Sequence, residues 1–257
     1  MSEKNVKQCV ANLCDSEIKK GDCANVSPEK TAKTVPSHVG IIMDGNGRWA
    51  EERGKKRAFG HKSGSQNVDR ITACAFNSGV KTLTLYAFSH ENWQRPPEEV
   101  KELMKLLKTY FKKFLKKILK NNIRLYVSGD IDALDKDLQD VILFDMEKSA
   151  GNTEHVLNLA INYGGRQEVV HAVKILIEKG EEITDEGILN NLYTAEFGEP
   201  DLIIRTGGEY RLSNFLLYQG AYAELYFTET LWPDFAEEDF IKALEEYGRR
   251  NRRFGKI

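Results

Sequence analysis

Apolar and polar positions along the chain fall into two kinds of run. Val39–Met43 is continuous, apolar and partly β-branched, which predicts a strand buried on both faces. Val80–Phe88, Ile123–Ser128, Val156–Tyr163, Asp201–Ile204 and Ala223–Phe227 carry similar signals, six strands in all. Between them the period changes to that of helices. A polar, helix-tolerant segment covers 48–54. Val68, Ile71, Ala75 and Phe76 mark a helix ending near Asn77 and stopped by Gly79. The longest helix is expected over Pro97–Lys120, where Val100, Leu103, Met104, Leu107, Phe111, Phe114, Leu115 and Ile118 form one wide stripe. Pro96 and Pro97 are expected to bar any helix before residue 97. Further helices are read over 134–149, from beyond Gly164-Gly165-Arg166 to about Lys179 with Val169, Val170, Val173, Leu176 and Ile177 on one face, and over 237–250. Strands alternating with crossover helices predict an α/β domain: a central, mostly parallel six-stranded sheet flanked by helices. Residues 1–36 show no sustained period and read as a flexible extension, with room for a short helix near Val6–Leu13, ahead of an ordered domain over 37–257.

Parallel sheets bind ligands outside the C-terminal ends of their strands. The first strand runs into Asp44, and Gly45 and Gly47 then permit a tight turn before Arg48 and Trp49. Backbone N–H groups and Arg48 at such a turn can face diphosphate oxygens, and Asp44 can bind the accompanying divalent cation. An ordinary strand–turn–helix corner capped by Asp44 uses the same residues. Two more strands end in chemistry, at Ser89–Arg95 and at Arg205–Asn214 with its Gly207–Gly208 pair. The rim so predicted holds Arg48, Arg57, Arg95, Arg205 and Arg211, the acids Asp44, Glu91, Glu209 and Glu224, and His61, Ser89 and Ser213. Forked guanidiniums around glycine turns suit phosphate oxygens.

Composition narrows the classes. With 257 residues, 41% hydrophobic and 30% charged, the chain can bury a large core, and its net charge of −2 argues against a nucleic-acid partner. No apolar run approaches membrane-spanning length and the N-terminus lacks a signal-peptide core, which predicts a cytoplasmic location. Cys9, Cys14, Cys23 and Cys74 match no zinc or CxxC spacing and read as reduced thiols. Lys112, Lys113, Lys116, Lys117 and Lys120 crowd the end of the longest helix, a face for solvent or for an anionic membrane surface.

The chain has no GxxxxGK[ST], no GxGxxG after the first strand, no GxSxG elbow and no Asp-Asp-x-x-Asp run. Instead, Val39–Trp49, Arg57–His61, Leu85–Trp93, Arg205–Phe215, Ala221–Phe227 and Leu231–Phe235 together resemble the cis-prenyltransferase family, in its bacterial undecaprenyl diphosphate synthase branch. The likeness covers about Pro36 to Gly255.

That resemblance implies Mg²⁺-dependent condensation of isopentenyl diphosphate onto an allylic diphosphate, usually farnesyl diphosphate, by a homodimer. It makes Asp44 the essential acid and a metal ligand, with Glu224 contributing to the metal site. Gly45, Asn46, Gly47, Arg48, Trp49, Arg57 and His61 would surround the allylic diphosphate. Arg205, Arg211 and Ser213 would take the isopentenyl diphosphate, and Arg253, in an Arg-x-Gly element, would reach the partner's site. Ser89, Glu91, Asn92, Trp93 and Arg95 would form a mobile loop beside the reacting carbons. Asn46, Ser89 and a diphosphate oxygen stay open as proton acceptor. The helix over 97–120 and its predecessor would wall a hydrophobic tunnel against the sheet. Ala87 favours a long product, whereas His155 stands where long-chain relatives carry an apolar residue, so a medium-chain product remains an alternative. A non-catalytic scaffold subunit would lack Asp44 or the Arg-Thr-Gly-Gly block. A phosphate-ester hydrolase on the same rim would need no isoprenoid acceptor.

Overall fold

The computed structural model describes residues 35–250. The expectations for residues 1–34, including the short helix, and for Arg253 lie outside the described residues.

Strand β1 (His38–Ile42) is buried throughout, as its unbroken apolar run requires. It leads to helix α1 (Asn46–Glu52) and helix α2 (Arg57–Asn77). Strand β2 (Thr82–Ser89) precedes a 3₁₀ turn over His90–Gln94, and the long helix α3 (Pro97–Lys120) follows. Next come β3 (Ile123–Ser128), α4 (Lys136–Ser149), β4 (His155–Tyr163), α5 (Gly165–Lys179) and a short α6 (Asp185–Asn190). Strands β5 (Leu202–Arg205) and β6 (Glu224–Phe227) and helix α7 (Glu237–Arg249) complete the described chain.

All six strands pair in parallel, in the order β3-β4-β2-β1-β5-β6. The chain therefore moves outward from β1 on one side, then returns to add β5 on the other. The reversal falls between β1 and β5, where a crevice opens at the C-terminal strand ends. One face of the sheet carries the larger core. Ile41, Leu83, Leu85 and Leu159 pack there against α2 (Val68, Ile71), α3 (Phe111, Phe114, Ile118) and α7 (Phe240, Ala243). On the other face Phe215 and Leu216, from the long β5–β6 connection, cover Ile42, Ala160 and Ile203.

Two expectations change. A helix does precede residue 97, the 3₁₀ turn over His90–Gln94. Pro96 restricts its immediate neighbour Arg95, which is extended at φ −70 and ψ 162, and leaves the five residues before it free. The short helix α6 was missing from the apolar pattern. Its signal is the cap, with the Thr184 hydroxyl accepting from Gly187 N–H at 3.0 Å ahead of Asp185 and Glu186.

Candidate active site

The β1–β5 crevice holds Asp44 and Arg205. Arg205 Nη2 donates to Asp44 Oδ2 at 2.8 Å, and its Nη1 donates to Ser213 Oγ at 2.7 Å and to the Arg211 carbonyl. The guanidinium is only 4% exposed, whereas the Asp44 side chain is 34% exposed. A buried cation thus backs a carboxylate that faces the opening. The Asp44 backbone is held from two sides. Its N–H donates to Thr206 Oγ1 at 3.0 Å, and that hydroxyl donates back to the Asp44 carbonyl at 2.8 Å. Gly45 N–H donates to Asp44 Oδ1 at 2.7 Å. Gly45 itself has φ +103, and a Cβ there would lie 2.7 Å from Leu231 Cδ2, so both conformation and space require glycine.

Asn46 opens α1. Its amide donates to the Met43 carbonyl at 3.1 Å, and its Oδ1 is buried without a partner. Helix α2 lies so close that a Cβ on Gly60 would meet the Asn46 carbonyl oxygen at 1.8 Å. Arg57 starts α2 with its guanidinium over Gly47, where a Cβ would come within 2.5 Å of Arg57 Cζ. One carboxylate gathers two guanidiniums and an imidazole here. Glu99 accepts from Arg95 Nη1 at 3.0 Å and lies 3.4 Å from Arg57 Nε and 3.5 Å from His61 Nε2. Burial lowers the His61 pKa, the Arg95 and Arg57 charges act in the same direction, and Glu99 opposes them. The ring nitrogen Nε2 makes no hydrogen bond.

On the far wall, Ser89 N–H donates to Asn92 Oδ1 at 3.1 Å, and Asn214 donates to Glu91 Oε1 at 2.8 Å and to Gln167 Oε1 at 3.0 Å. Arg166 N–H in turn donates to Asn214 Oδ1 at 2.9 Å. Asn214 therefore ties together the ends of β2 and β4 and the β5–β6 connection. Its φ of 65, with 48 at Ser213 and 44 at Leu216, is left-handed, a strain concentrated beside the site. Tyr86 donates to the Tyr163 carbonyl at 3.2 Å, and burial raises its pKa.

These walls enclose a cavity of about 1020 Å³. Its polar mouth carries Asp44, Asn46, His61, Ser89, Glu91, Asn92, Arg95, Arg205, Arg211 and Ser213. Its interior is apolar, lined by Val68 of α2, by Leu103, Leu106, Leu107 and Tyr110 of α3, and by Leu159. Arg211 pairs with Glu209 at 2.5 Å at the exposed edge.

Other expected residues stand elsewhere. Arg48 donates to the Gly207 carbonyl beside the mouth. Trp49 faces outward, stacked on Phe59 and bonded to Asp234 Oδ1 at 2.6 Å. Trp93 bonds Asn162 Oδ1 at 2.7 Å and is 40% exposed. Glu224 is not on the rim. As the first residue of a parallel strand, paired with Leu202, it lies three residue steps, about 10 Å, from the rim where Arg205 pairs with Phe227. Arg250 bonds it at 2.9 Å. Asp44 and Glu224 of one chain are thus not brought together, and no group of three His, Cys, Asp or Glu able to hold a metal occurs among the described residues. His155 opens β4 at the opposite end of the sheet, stacked on Phe76 with centroids 4.3 Å apart. Thr206, Glu99 and Asn214 were not singled out as site residues from sequence. Thr206 and Asn214 lie inside quoted blocks, but only folding shows what they touch.

The model of a family described as undecaprenyl diphosphate synthase matches residues 42–255. The chain belongs to that family. It is 49% identical over 230 residues to an isoprenyl transferase of Oceanobacillus iheyensis, covering 87% of this chain and 91% of that one. Over 225 residues it is also 49% identical to the farnesyl-diphosphate-specific ditrans,polycis-undecaprenyl-diphosphate synthase of Escherichia coli K12, covering 85% and 89%. Among solved structures, lavandulyl diphosphate synthase from Lavandula x intermedia, in complex with dimethylallyl diphosphate, superposes with a TM-score of 0.82 at 36% identity, covering 86% of this chain and 99% of that one.

Proposed function

We propose that this prenyltransferase adds isopentenyl units in cis to an allylic diphosphate, with farnesyl diphosphate as primer, and releases a long-chain polyprenyl diphosphate of the undecaprenyl type. The observation that carries this reading is the union of a cationic, phosphate-suited mouth with an apolar cavity. At about 1020 Å³ the cavity stands at the upper end of ordinary small-molecule sites, roughly 300–1,000 Å³. A polar diphosphate at Asp44 and Arg205 and a growing hydrocarbon along Leu103, Leu107 and Leu159 fit the two parts.

In the reaction the allylic C1–oxygen bond breaks and diphosphate leaves. The terminal carbon, C4, of the isopentenyl unit bonds to C1, its double bond moves from C3–C4 to C2–C3, and the proton lost from C2 passes to Asn46, Ser89 or a diphosphate oxygen. Charge therefore builds on the leaving diphosphate and on the allylic carbon. The N–H groups of the Gly45–Gly47 turn, Arg48, Arg57 and Arg95 would bind the leaving group. Arg205, Arg211 and Ser213 would hold the second diphosphate and fix its reacting carbon. His61 and Asn46, each with an unbonded polar atom, would orient the allylic end. The apolar cavity would exclude water from the allylic cation.

Asp44 suits Mg²⁺. Each carboxylate oxygen has one partner and a spare lone pair, and Mg²⁺ commonly takes one or two carboxylates plus phosphate oxygens. When bound, the cation neutralises diphosphate charge and makes it a better leaving group. A long hydrocarbon product also supports contact with a membrane surface, although no described helix is long and apolar enough to cross a membrane. The cis-prenyltransferase unit is taken as 37–257.

The test is incorporation of radiolabelled isopentenyl diphosphate with farnesyl diphosphate and Mg²⁺, with products resolved by length. A ladder ending near eleven units is expected, and Asp44→Ala should abolish it. A ladder that stops short would replace the long-chain assignment with a medium-chain one. No incorporation from any primer would overturn the enzymatic reading in favour of a scaffold. Release of phosphate from simple esters without an acceptor would point to a hydrolase.

A further inference from the structure

We propose that the outward face of α3, with the adjoining end of α4, is the surface that docks this protein on an anionic lipid bilayer. The proposal rests on the membrane contact given above and assigns it to particular residues. Lys101, Lys105, Lys108, Lys112 and Lys116 recur at i, i+4, i+7, i+11 and i+15, which confines them to an arc of about 80°. Leu103, Leu107 and Tyr110, which line the cavity, occupy the opposite side of the same helix. The stripe from Lys101 to Leu119 is about 27 Å long. Lys108 is tied to Asp137 at 2.5 Å, and Lys117, on the other side of the helix, to Asp69 at 2.7 Å. Lys101, Lys105 and Lys116 are not ion-paired with any described residue, while the charge of Lys112 also acts on Asp137. A chain of net charge −2 thus concentrates free positive charge on one helix face.

Charge alone suits solvent as well as lipid. Exposed apolar side chains among those cations decide between them. Leu119 lies within the lysine arc and is 42% exposed. Helices α3 and α4 both cross back between parallel strands, so they run in the same direction, and the Lys108–Asp137 bond sets their offset. The same offset brings Phe144 level with the turn at Leu115 and Lys116. Phe144 is 51% exposed, with Lys148 Nζ 5.3 Å from its ring, and the neighbouring Leu143 is also 51% exposed. Lysines at headgroup depth with leucine and phenylalanine at the acyl boundary match an interfacial helix. The complementary partner is a negatively charged leaflet.

The experiment is flotation of the full chain with vesicles of phosphatidylcholine alone or mixed with phosphatidylglycerol, at low and physiological salt. Two variants accompany it, Lys105→Glu with Lys116→Glu, and Phe144→Ser. Expected are binding to the anionic vesicles that falls with salt, a loss of about tenfold or more with the paired charge reversal, and a smaller loss with Phe144→Ser. Incorporation with short soluble primers and the melting temperature should match the parent, because these side chains point away from the cavity. Failure of the parent to float would overturn the membrane contact together with this surface. Undiminished flotation of the charge-reversed protein would overturn the surface alone. Equal binding to neutral vesicles, or retention on heparin without vesicle binding, would overturn the lipid assignment. None of these outcomes bears on whether the chain condenses isoprenoids.

Discussion

Glu99 lies among Arg57, Arg95 and His61, and although Glu51 also bonds Arg57 at 2.9 Å, Glu99 is the acid whose charge acts on the His61 ring, so the protonation of His61 depends on it. Burial and the two arginines hold the imidazole below its ordinary 6.5, and Glu99 is the one charge that pulls it up. Glu99→Gln is therefore expected to lower the His61 pKa further, measurable by NMR titration of the ring protons. An upward shift would show that the carboxylate does not act on the ring. The stability linked to His61 is present above pH 6.5 and is lost as pH falls through the depressed value, because only the unfolded chain then readily takes the proton. This cluster marks the limit of what residues disclose by themselves. Asp44 and Arg205 were legible because each stands at a strand end beside a glycine turn, and Ser213 because it lies in the polar block that follows Arg205. Glu99 reads from sequence as an acid in the first turn of α3, complementing the helix dipole. Only the close approach of α2 turns it into part of the site. Glu224 is the opposite case, since it reads as a rim acid but stands at the other end of its strand.

At the scale of elements, the runs that were easiest to read are those whose burial is uniform. β1 and the stripe of α3 were visible because every position agrees with its neighbours. Helix α4 contains one residue that disagrees. Asp145 lies on the inner face with Leu138, Ile142 and Ser149, is 3% exposed, and leaves its Oδ2 without a hydrogen bond. Burial pushes its pKa up to about 6. A raised carboxylate pKa means that the folded state holds the proton more tightly. Its favourable contribution is thus complete below pH 3.8 and is lost as pH rises through about 6. Asp145→Asn should stabilise the protein at pH 8 by on the order of 1 kcal/mol and bring no gain below pH 4. Chemical denaturation at the two pH values checks this, and an equal effect at both would mean that the carboxyl is not titrating. Helix α5 shows the other limit of periodicity. Its five apolar residues read as one face, but only Leu176 of them is fully covered, while Val170 and Ile177 are 54% and 63% exposed. The inward positions are Gly165, Glu168, Ala172 and Leu176, so the apolar stripe is rotated away from the domain's own core.

For the molecule as a whole that rotation has a use. An apolar stripe marks a face that must be covered, but it does not say whether the cover comes from the same chain or from a second copy. Val170 and Ile177 lie seven residues apart on α5, and Ile183, just past its end, is 51% exposed. These three leave α5 with an uncovered apolar side among the described residues. The homodimer implied by the resemblance would bury it, because contiguous exposed apolar surface commonly marks an interface. Sedimentation equilibrium should give twice the 29.3 kDa chain mass. Val170→Glu with Ile177→Glu should weaken the dimer by about a hundredfold or more, as removal of two central apolar contacts does at other interfaces. Neither residue lines the cavity, so the monomer should keep its fold and its affinity for the allylic primer. If the Arg253 element completes the site of the opposite copy, isopentenyl diphosphate KM should rise with dissociation while primer binding holds. If both substrates bind the monomer normally, each copy works alone and α5 serves assembly without catalysis. A double mutant that stays dimeric would move the interface to another face altogether.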